Sequence, residues 1–438
     1  MTTLRLVIAL LTLFTLCPVV FAAEKEPVIH GTVLGLDGRP LAGVDVAMST
    51  HGGGWPQIRN GRLAQRREPY TISTDRNGRF EFAHIDFEEK AKHAHGCPDD
   101  RPIMDFILLF LHDDGFLRLT QPEWEALGEN KTITLQPWGR LEGTVKVGTQ
   151  PGKNLRIVCA ASFDNEGRPF FSNEPPVVMD YDAVTSDESG KFVFERLPAS
   201  FVRVSRSIIF SVTEQTTSSG GPGFGFAMRS HNSLGSHGKI IELAPGETAT
   251  VTIGGVGRPV IGRLTLSSEL RELFGEGTEP DWNFSHIVCA PVLEKFDHAA
   301  HNERMFELVG SMIPKEINEE SDPEKVEKWL ETEDGKKFLE TLRELETTAW
   351  QTFNARNRAR EAMTRACAVA ADGTFRLDDV PEGDWVLTVW LEPRSAPAAR
   401  EIPPPPGGRW RLTHELRIAP IPGGQSDEPF DIGTLEIP

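Results

Sequence analysis

The chain has 438 residues, 39% hydrophobic and 25% charged, with 32 prolines and 40 glycines, a mix that suits a folded, loop-rich protein and excludes a disordered one. Acidic residues outnumber basic ones by 64 to 46, so the net charge is −18. That charge repels phosphate backbones and anionic lipid, which argues against nucleic acid as a partner and reads as a solvated surface. The length allows about two to four compact domains.

At the N-terminus, Arg5 precedes the apolar run Leu6–Leu16, Pro18 breaks it, and Val20–Ala22 supply small residues. This is the build of a secretory signal peptide over residues 1–22, cleaved after Ala22. A membrane anchor is the competing reading, but Pro18 and the short apolar run argue against a stable span. Bulky Leu16 argues against lipid attachment at Cys17. The mature chain is then extracytoplasmic: periplasmic, surface-bound or secreted, with no transmembrane span. It keeps Cys97, Cys159, Cys289 and Cys367, an even count that allows three disulfide pairings in an oxidising compartment.

Strand-like runs then follow one another. "HGTV" from His30 and "GVDVAM" (Gly43–Met48) lead to "TISTDRNGRFEF" (Thr71–Phe82). There Asp75 and Gly78 bracket a turn, and alternation of Ile72 and Thr74, then Phe80 and Phe82, predicts a β-hairpin with one buried face. "DFILLFL" (Asp105–Leu111) and "KTITLQP" (Lys131–Pro137) complete the set. The order recurs from "EGTV" (Glu142) through "LRIVCA" (Leu155–Ala160), "AVTSDESGKFVF" (Ala183–Phe194), "FVRVSR" (Phe201–Arg206) and "ATVTIGG" (Ala249–Gly255). Gly31 to Gly78 is 47 residues (78 − 31), and Gly143 to Gly190 is also 47 (190 − 143).

A third copy runs from "IGRL" (Ile261) through "SHIVCA" (Ser285–Ala290), "ACAVAADGTFRL" (Ala366–Leu377) and "WVLTVWL" (Trp385–Leu391) to "FDIGTLEI" (Phe430–Ile437). Its marker spacing is 373 − 262 = 111, so it carries 111 − 47 = 64 extra residues. These lie in a helical insertion at 294–365. Asp322 as N-cap and Pro323 at the first helical position open one helix. A second begins near Asp334, with Phe338, Leu342, Leu345, Ala349 and Phe353 in one apolar stripe that needs a partner helix or the third sandwich. The insertion reads as a helical hairpin covering a sheet, with a partner-docking arm as the alternative.

The expected fold is mainly β: three tandem β-sandwich domains over residues 27–138, 139–256 and 257–438, the third with the helical insertion. The order G-x-V, "LDGRPLAGVDV" (Leu36–Val46), T-D-x-x-G-x-F and L-P resembles the carboxypeptidase regulatory-like domains. These are transthyretin-like sandwiches similar to the Cna-B repeats of bacterial surface proteins. The resemblance is strongest in the first copy, clear from Gly143 to Pro198, and partial in the third. It implies a non-catalytic role in folding, spacing or binding.

No His is followed by Glu at the third position, as the zinc site of the carboxypeptidases would require. "HELRI" (His414–Ile418) lacks the second His of a zincin, and neither G-x-S-x-G nor a P-loop occurs. Metal candidates are His93, His95 and Cys97 in "HAHGC", with His84 and Asp99 near, and His298 with His301 at i, i+3; a solvated loop and surface polarity account for them as well. The turns at Asp75 and Asp187 resemble calcium loops only loosely, and turn chemistry explains them.

Cys289 and Cys367 flank the insertion, so a disulfide would clamp a 78-residue excursion (367 − 289) and add roughly 3–5 kcal/mol; two small buried thiols are the alternative. Lys146 has no repeated Asn and acid to make an isopeptide trio. Trp55 and the loop Gly220–Met228 offer aromatics for sugar stacking, or serve as connectors. The expectation is an exported non-enzymatic protein without cofactor, serving in binding, adhesion or scaffold spacing, its partner an unidentified envelope protein or glycan. The alternative is a metal-dependent hydrolase, or an accessory subunit of one, with a site of loop histidines.

Overall fold

In the computed structural model the described residues are 29–50, 56–66, 68, 70–82, 106–162, 178–179, 182–218, 225–274, 282, 285–293, 297–314, 317, 323–391 and 410–437. The chain is mainly β and built of several separate sheets. The first series is β1 (Ile29–Leu34), β2 (Asp45–Thr50), β3 (Gln57–Arg59), β4 (Arg62–Leu63), β5 (Thr71–Ser73), β6 (Arg79–Phe82), β7 (Phe106–His112), β8 (Gly115–Thr120), helix α1 (Gln121–Ala126) and β9 (Thr132–Thr134). The second is β10 (Gly139–Val147), β11 (Gln150–Pro151), β12 (Arg156–Ser162), β13 (Val178–Met179), β14 (Asp182–Thr185), β15 (Lys191–Leu197), β16 (Ser200–Ser218), β17 (Gly225–Leu243) and β18 (Thr248–Ile253). The third runs β19 (Arg258–Leu266), α2 (Ser268–Phe274), β20 (His286–Pro291), α3 (His298–Met312), α4 (Pro323–Leu330) and α5 (Glu333–Met363). It closes with β21 (Arg365–Ala368), β22 (Thr374–Val380), β23 (Gly383–Leu391), β24 (Trp410–Ile418) and β25 (Phe430–Ile437).

Each series makes the same two sheets. One has the opening strand at its centre, antiparallel to the strand after the Gly turn and parallel to the closing strand: β6-β1-β9, β15-β10-β18 and β22-β19-β25. The expected hairpins are corrected: β5, β14 and β21, before each turn, pair with β2, β12 and β20 in the other sheet, so each tight turn carries the chain from one sheet to its partner. The other is four-stranded: β5-β2-β7-β8, β14-β12-β16-β17 and β21-β20-β23-β24. Inward residues of the first pair form one core around Phe80, Phe110 and Trp124. Those of the third form another around Trp282, Phe375 and Trp385. In the second, Leu141, Ile157, Phe192, Phe194 and Val204 are buried.

The repeated turn has one hydrogen-bond plan. The glycine amide donates to the residue three before it: Gly78 to Asp75 (3.0 Å), Gly190 to Asp187 (3.0 Å) and Gly373 to Ala370 (2.9 Å). The φ angles of these glycines are +70°, +76° and +81°, a region in which a Cβ is strained. Their carbonyls accept from Val33, Val145 and Leu264 on the opening strands. Asp75 Oδ1 accepts from the Asn77 and Arg79 amides, and Asp187 Oδ1 from Ser189 and Lys191. Those amides, Arg79 and Lys191 foremost, hold both carboxyls below the usual range. Where Ala370 replaces the Asp, Asp372 binds the Thr374 amide and hydroxyl instead.

Hydroxyls just before the turn add a second tie. Thr74 Oγ1 accepts from Val44 and donates to Leu41, while Ser186 Oγ accepts from Leu155 and donates to Gly152. In the third copy buried Val369 stands there.

The glycine markers of the three opening strands share one register. Gly31 pairs with Phe80 across the ladder, Gly143 with Phe192, and Gly262 with Phe375. A Cβ on Gly143 or Gly262 would strike the partner ring, and one on Gly31 would strike the Lys131 carbonyl with the Phe80 ring next at 3.1 Å.

The excursions also share one connection. Between the second strand and the strand before the Gly turn lie β3 and β4 in the first copy, β13 in the second, and α3–α5 in the third. The helices make their own core: Ile313, Val326, Trp329 and Phe338 are buried, with Leu308, Met312, Leu339 and Leu342 packed against them. Part of the expected stripe of α5 is therefore met by partner helices. Two compact units result: residues 1–138, 162–180 and 294–357, and residues 139–161, 181–293 and 358–438. Among the described residues no helix is long and apolar enough to cross a membrane.

Gly143→Ala is expected to lower unfolding stability by about 1–3 kcal/mol through the displaced Phe192 ring. Gly310→Ala on α3, where nothing lies within 4 Å, should be neutral or stabilising by up to about 1 kcal/mol. Urea unfolding compares them, and equal losses would refute the contact.

Candidate functional site

The described residues hold one large buried ionic cluster, inside the second compact unit where the second and third sandwiches meet. Its centre is Asp379 at the end of β22, 1% exposed and at φ +54°, a conformation uncommon outside glycine. Its Oδ1 accepts from the Gly148 amide (2.7 Å), in the turn joining β10 to β11. Its Oδ2 accepts from the Gly255 amide (3.1 Å), in the linker joining β18 to β19. Gly254 and Gly255 have φ of +74° and +73°, and a Cβ on Gly254 would strike the Lys146 carbonyl. That linker folds this way because glycine stands at both positions.

Facing Asp379 is His237, 4% exposed and at φ +60°. It sits in a bulge of β17, where the ladder shifts between Val204–Lys239 and Arg206–Ser236, and such a bulge re-aims a side chain. Its Nε2 lies 3.6 Å from Asp379 Oδ2 and 3.2 Å from the Asp378 carbonyl. Nδ1 lies 2.8 Å from Ser236 Oγ, which accepts from the Ala366 amide (2.9 Å). The His237 amide donates to Thr364 O (3.1 Å).

Arg365 closes the cluster. Its Nε donates to Asp379 O (2.7 Å), and its Nη1 to the Met363 (2.8 Å), Thr364 (3.2 Å) and Ala362 (3.3 Å) carbonyls at the C-terminus of α5, where a cation also favours the helix dipole. Alongside, Asp378 accepts from Arg206 and Arg376, both at 2.9 Å. Asp427 holds the same β10–β11 turn through the Thr149 amide and hydroxyl.

Burial dominates the electrostatics. It raises the Asp379 carboxyl, against the Gly255 and Gly148 amides that lower it. It drives His237 well below its ordinary value, helped by Arg365 and Arg206, so the imidazole is neutral. Arg365 is brought down to about 10, again mainly by burial. The cluster's polar groups are spent largely on one another, which suits a joint between sandwiches.

Of the sites expected from sequence, His93, His95 and Cys97 lie outside the described residues, as does Trp55. His298 and His301 stand in the first turn of α3. Among the described residues no three His, Cys, Asp or Glu side chains are grouped to hold a metal.

The expected Cys289–Cys367 disulfide is corrected: both are free thiols. They share a core face on adjacent strands, but Cys289 stands opposite Arg365 and Cys367 opposite Ile287. Such diagonal partners sit roughly 7–8 Å apart, beyond disulfide reach. Burial pushes Cys289 up to about 12 and Cys367 up as well. Cys159, also free and buried, is raised to about 12 for the same reason.

Sequence reasoning missed Asp379, His237 and Arg365. The one available signal was the linker "GGVG" (Gly254–Gly257), whose glycines imply a fixed turn.

No family model and no curated protein matches the chain. Among solved structures it is similar to the Bacillus anthracis TIE protein, with 9% identity and a TM-score of 0.17, over 93% of this chain and 50% of that one. The chain thus spans half the length of that protein. It is also similar to a protein from Pseudomonas aeruginosa titled a putative carbohydrate binding protein, with 14% identity and a TM-score of 0.15, over 27% of this chain and 88% of that one. A third is the shaft pilin SpaA of Lactobacillus rhamnosus GG, an E269A mutant, with 13% identity and a TM-score of 0.17, over 53% of this chain and 99% of that one. Similarity of this degree assigns the chain no role.

Asp379→Ala is expected to cost about 3 kcal/mol by stranding two amides and the facing charges, and Asp379→Asn clearly less; denaturant unfolding measures both. In the native, unreduced protein Cys159, Cys289 and Cys367 should resist iodoacetamide, and all three should alkylate in denaturant without reductant. Failure of Cys289 and Cys367 to do so would restore the disulfide.

Proposed function

We propose that the chain is an exported, non-catalytic scaffold of the cell envelope: three copies of one sandwich, over residues 27–138, 139–256 and 257–438. The observation that carries this reading is the buried joint. Asp379, His237 and Arg365, each shifted chiefly by burial, face one another between two sandwiches. Perturbed groups in an open cleft would suggest catalysis; closed ones fix geometry. The scaffold holds the second and third sandwiches in one arrangement and presents its excursions, together with the ribbon β16–β17, to an envelope protein or glycan. Resemblance of the repeat to the carboxypeptidase regulatory-like domains supports the same role.

Export is the readily tested part. Expressed with its leader in a bacterial host, the protein should be recovered outside the cytoplasm with Ala23 as its first residue, by N-terminal mass mapping. Retention of residues 1–22 in the cytoplasm would refute export. A stoichiometric metal in the purified protein, with chelator-sensitive hydrolysis, would favour the hydrolase reading with His93, His95 and Cys97 instead.

A further inference from the structure

The joint buries a neutral imidazole in a charge-balanced setting. Arg206 from β16 pairs with the Asp378 carboxylate from β22, while Arg365 from β21 bonds the Asp379 main-chain carbonyl and feels the Asp379 carboxylate that faces His237. Arg376 adds a cation on the exposed side of Asp378, and the Cys289 and Cys367 thiols beside the cluster are held protonated. The hydrogen bonds of His237 suit the neutral form. Nε2–H donates to the Asp378 carbonyl, and Nδ1 accepts from the Ser236 hydroxyl, whose oxygen already accepts from Ala366. A proton on Nδ1 would strip the Ser236 hydroxyl hydrogen of its acceptor and add a buried cation disfavoured by burial and by Arg365 and Arg206, with Asp379 Oδ2 3.6 Å from Nε2 as counter-charge.

We propose that this joint is a proton-operated latch: protonation of His237 releases β17 from Thr364, Ala366 and Asp378 and frees the second sandwich from the third. The inference rests on the scaffold reading only in taking this joint as what fixes the two sandwiches. It adds that the fixed geometry is conditional on pH.

The sign follows from linkage. The exposed imidazole titrates near 6.5 and the buried one well below it. The closed joint therefore keeps its full stability above pH 6.5. It loses stability as pH falls towards the buried group's own range, by up to about tenfold in the closed-to-open ratio per pH unit. Asp379, whose carboxyl is raised from 3.8, opposes this only as pH nears the carboxylate range. The working window is thus about pH 7.5 to 5.

The test uses the full mature chain with Cys97→Ser and spin labels at Glu188→Cys in the second sandwich and Glu436→Cys in the third, both exposed. The buried native thiols should stay unlabelled. At pH 7.5 one narrow interspin distance is expected, at least doubling in width by pH 5. His237→Gln, which can donate to Asp378 O and accept from Ser236 without titrating, should stay narrow at both. A wild-type distribution unchanged to pH 5, or the same broadening in His237→Gln, would overturn the latch and leave the scaffold standing. A distribution already broad at pH 7.5 would overturn both. Should His237→Gln fail to fold, hydrogen exchange in the wild type decides. The Gly148, Gly255 and Ala366 amides should lose at least tenfold protection, corrected for intrinsic rate, between pH 7.5 and 5. Unchanged protection would overturn the latch.

Discussion

The contact on which each sandwich depends is a ring laid over a missing side chain. Phe80, Phe192 and Phe375 each cross the ladder to a glycine on the opening strand; the Phe192 and Phe375 rings take the volume of the absent Cβ, and the Phe80 ring lies just beyond it. Two distant points in the sequence are thereby tied at one register. A slip by a single residue would turn the aromatic out of the core and set a Cβ against a ring. The turn glycine reinforces the same register from the other end, because its carbonyl accepts from the opening strand in all three copies. The pair is both a packing contact and the device that positions the first strand between its two neighbours.

With register held there, the connection between the second strand and the strand before the Gly turn is free to vary. In the first copy it makes the short ribbon β3–β4, in the second β13, and in the third three helices. A loop's closure cost grows only with the logarithm of its length. The third copy meets the added residues by giving the helices a core of their own around Trp329 and Phe338. Its sandwich still builds the same sheet order as the other two.

This explains what could be read in advance. The tight turns, the order of strands along the chain and the three-fold repetition were legible because they rest on period-two burial, Asp and Gly turn chemistry and a recurrent spacing, all written locally; that the strands on either side of each turn enter different sheets, and so make no hairpin, was not. Even the hydroxyl tie was present in the letters, as Thr74 and Ser186 directly before the turn aspartates, though its bonds to Leu41 and Gly152 needed coordinates. The Cys289–Cys367 pairing failed for a reason invisible to spacing: their strands are neighbours, but a two-residue offset decides between opposite and diagonal. The ionic joint was not legible at all. It draws single residues from the β10–β11 turn, the β17 bulge, the β18–β19 linker, β21 and β22, and no run of sequence brings them together.

The joint also departs from the repeat in an instructive way. By the hairpin alignment, Asp379 corresponds to Arg196 (379 − 375 = 196 − 192), so the second copy carries the opposite charge where the third carries its buried carboxylate. One blueprint thus supports different ends to the same strand. The third copy uses its version to receive two backbone amides from its neighbour. Buried ion clusters contribute little net stability over apolar packing of the same shape, since desolvation offsets most of the attraction. What they do supply is intolerance of misfit, because a sandwich rotated by a few ångströms would leave a carboxylate, two amides and an arginine without partners. Apolar faces would slide where these groups cannot. The arrangement of the second and third sandwiches is therefore specified by polar groups, while the interior of each is specified by a ring and a glycine.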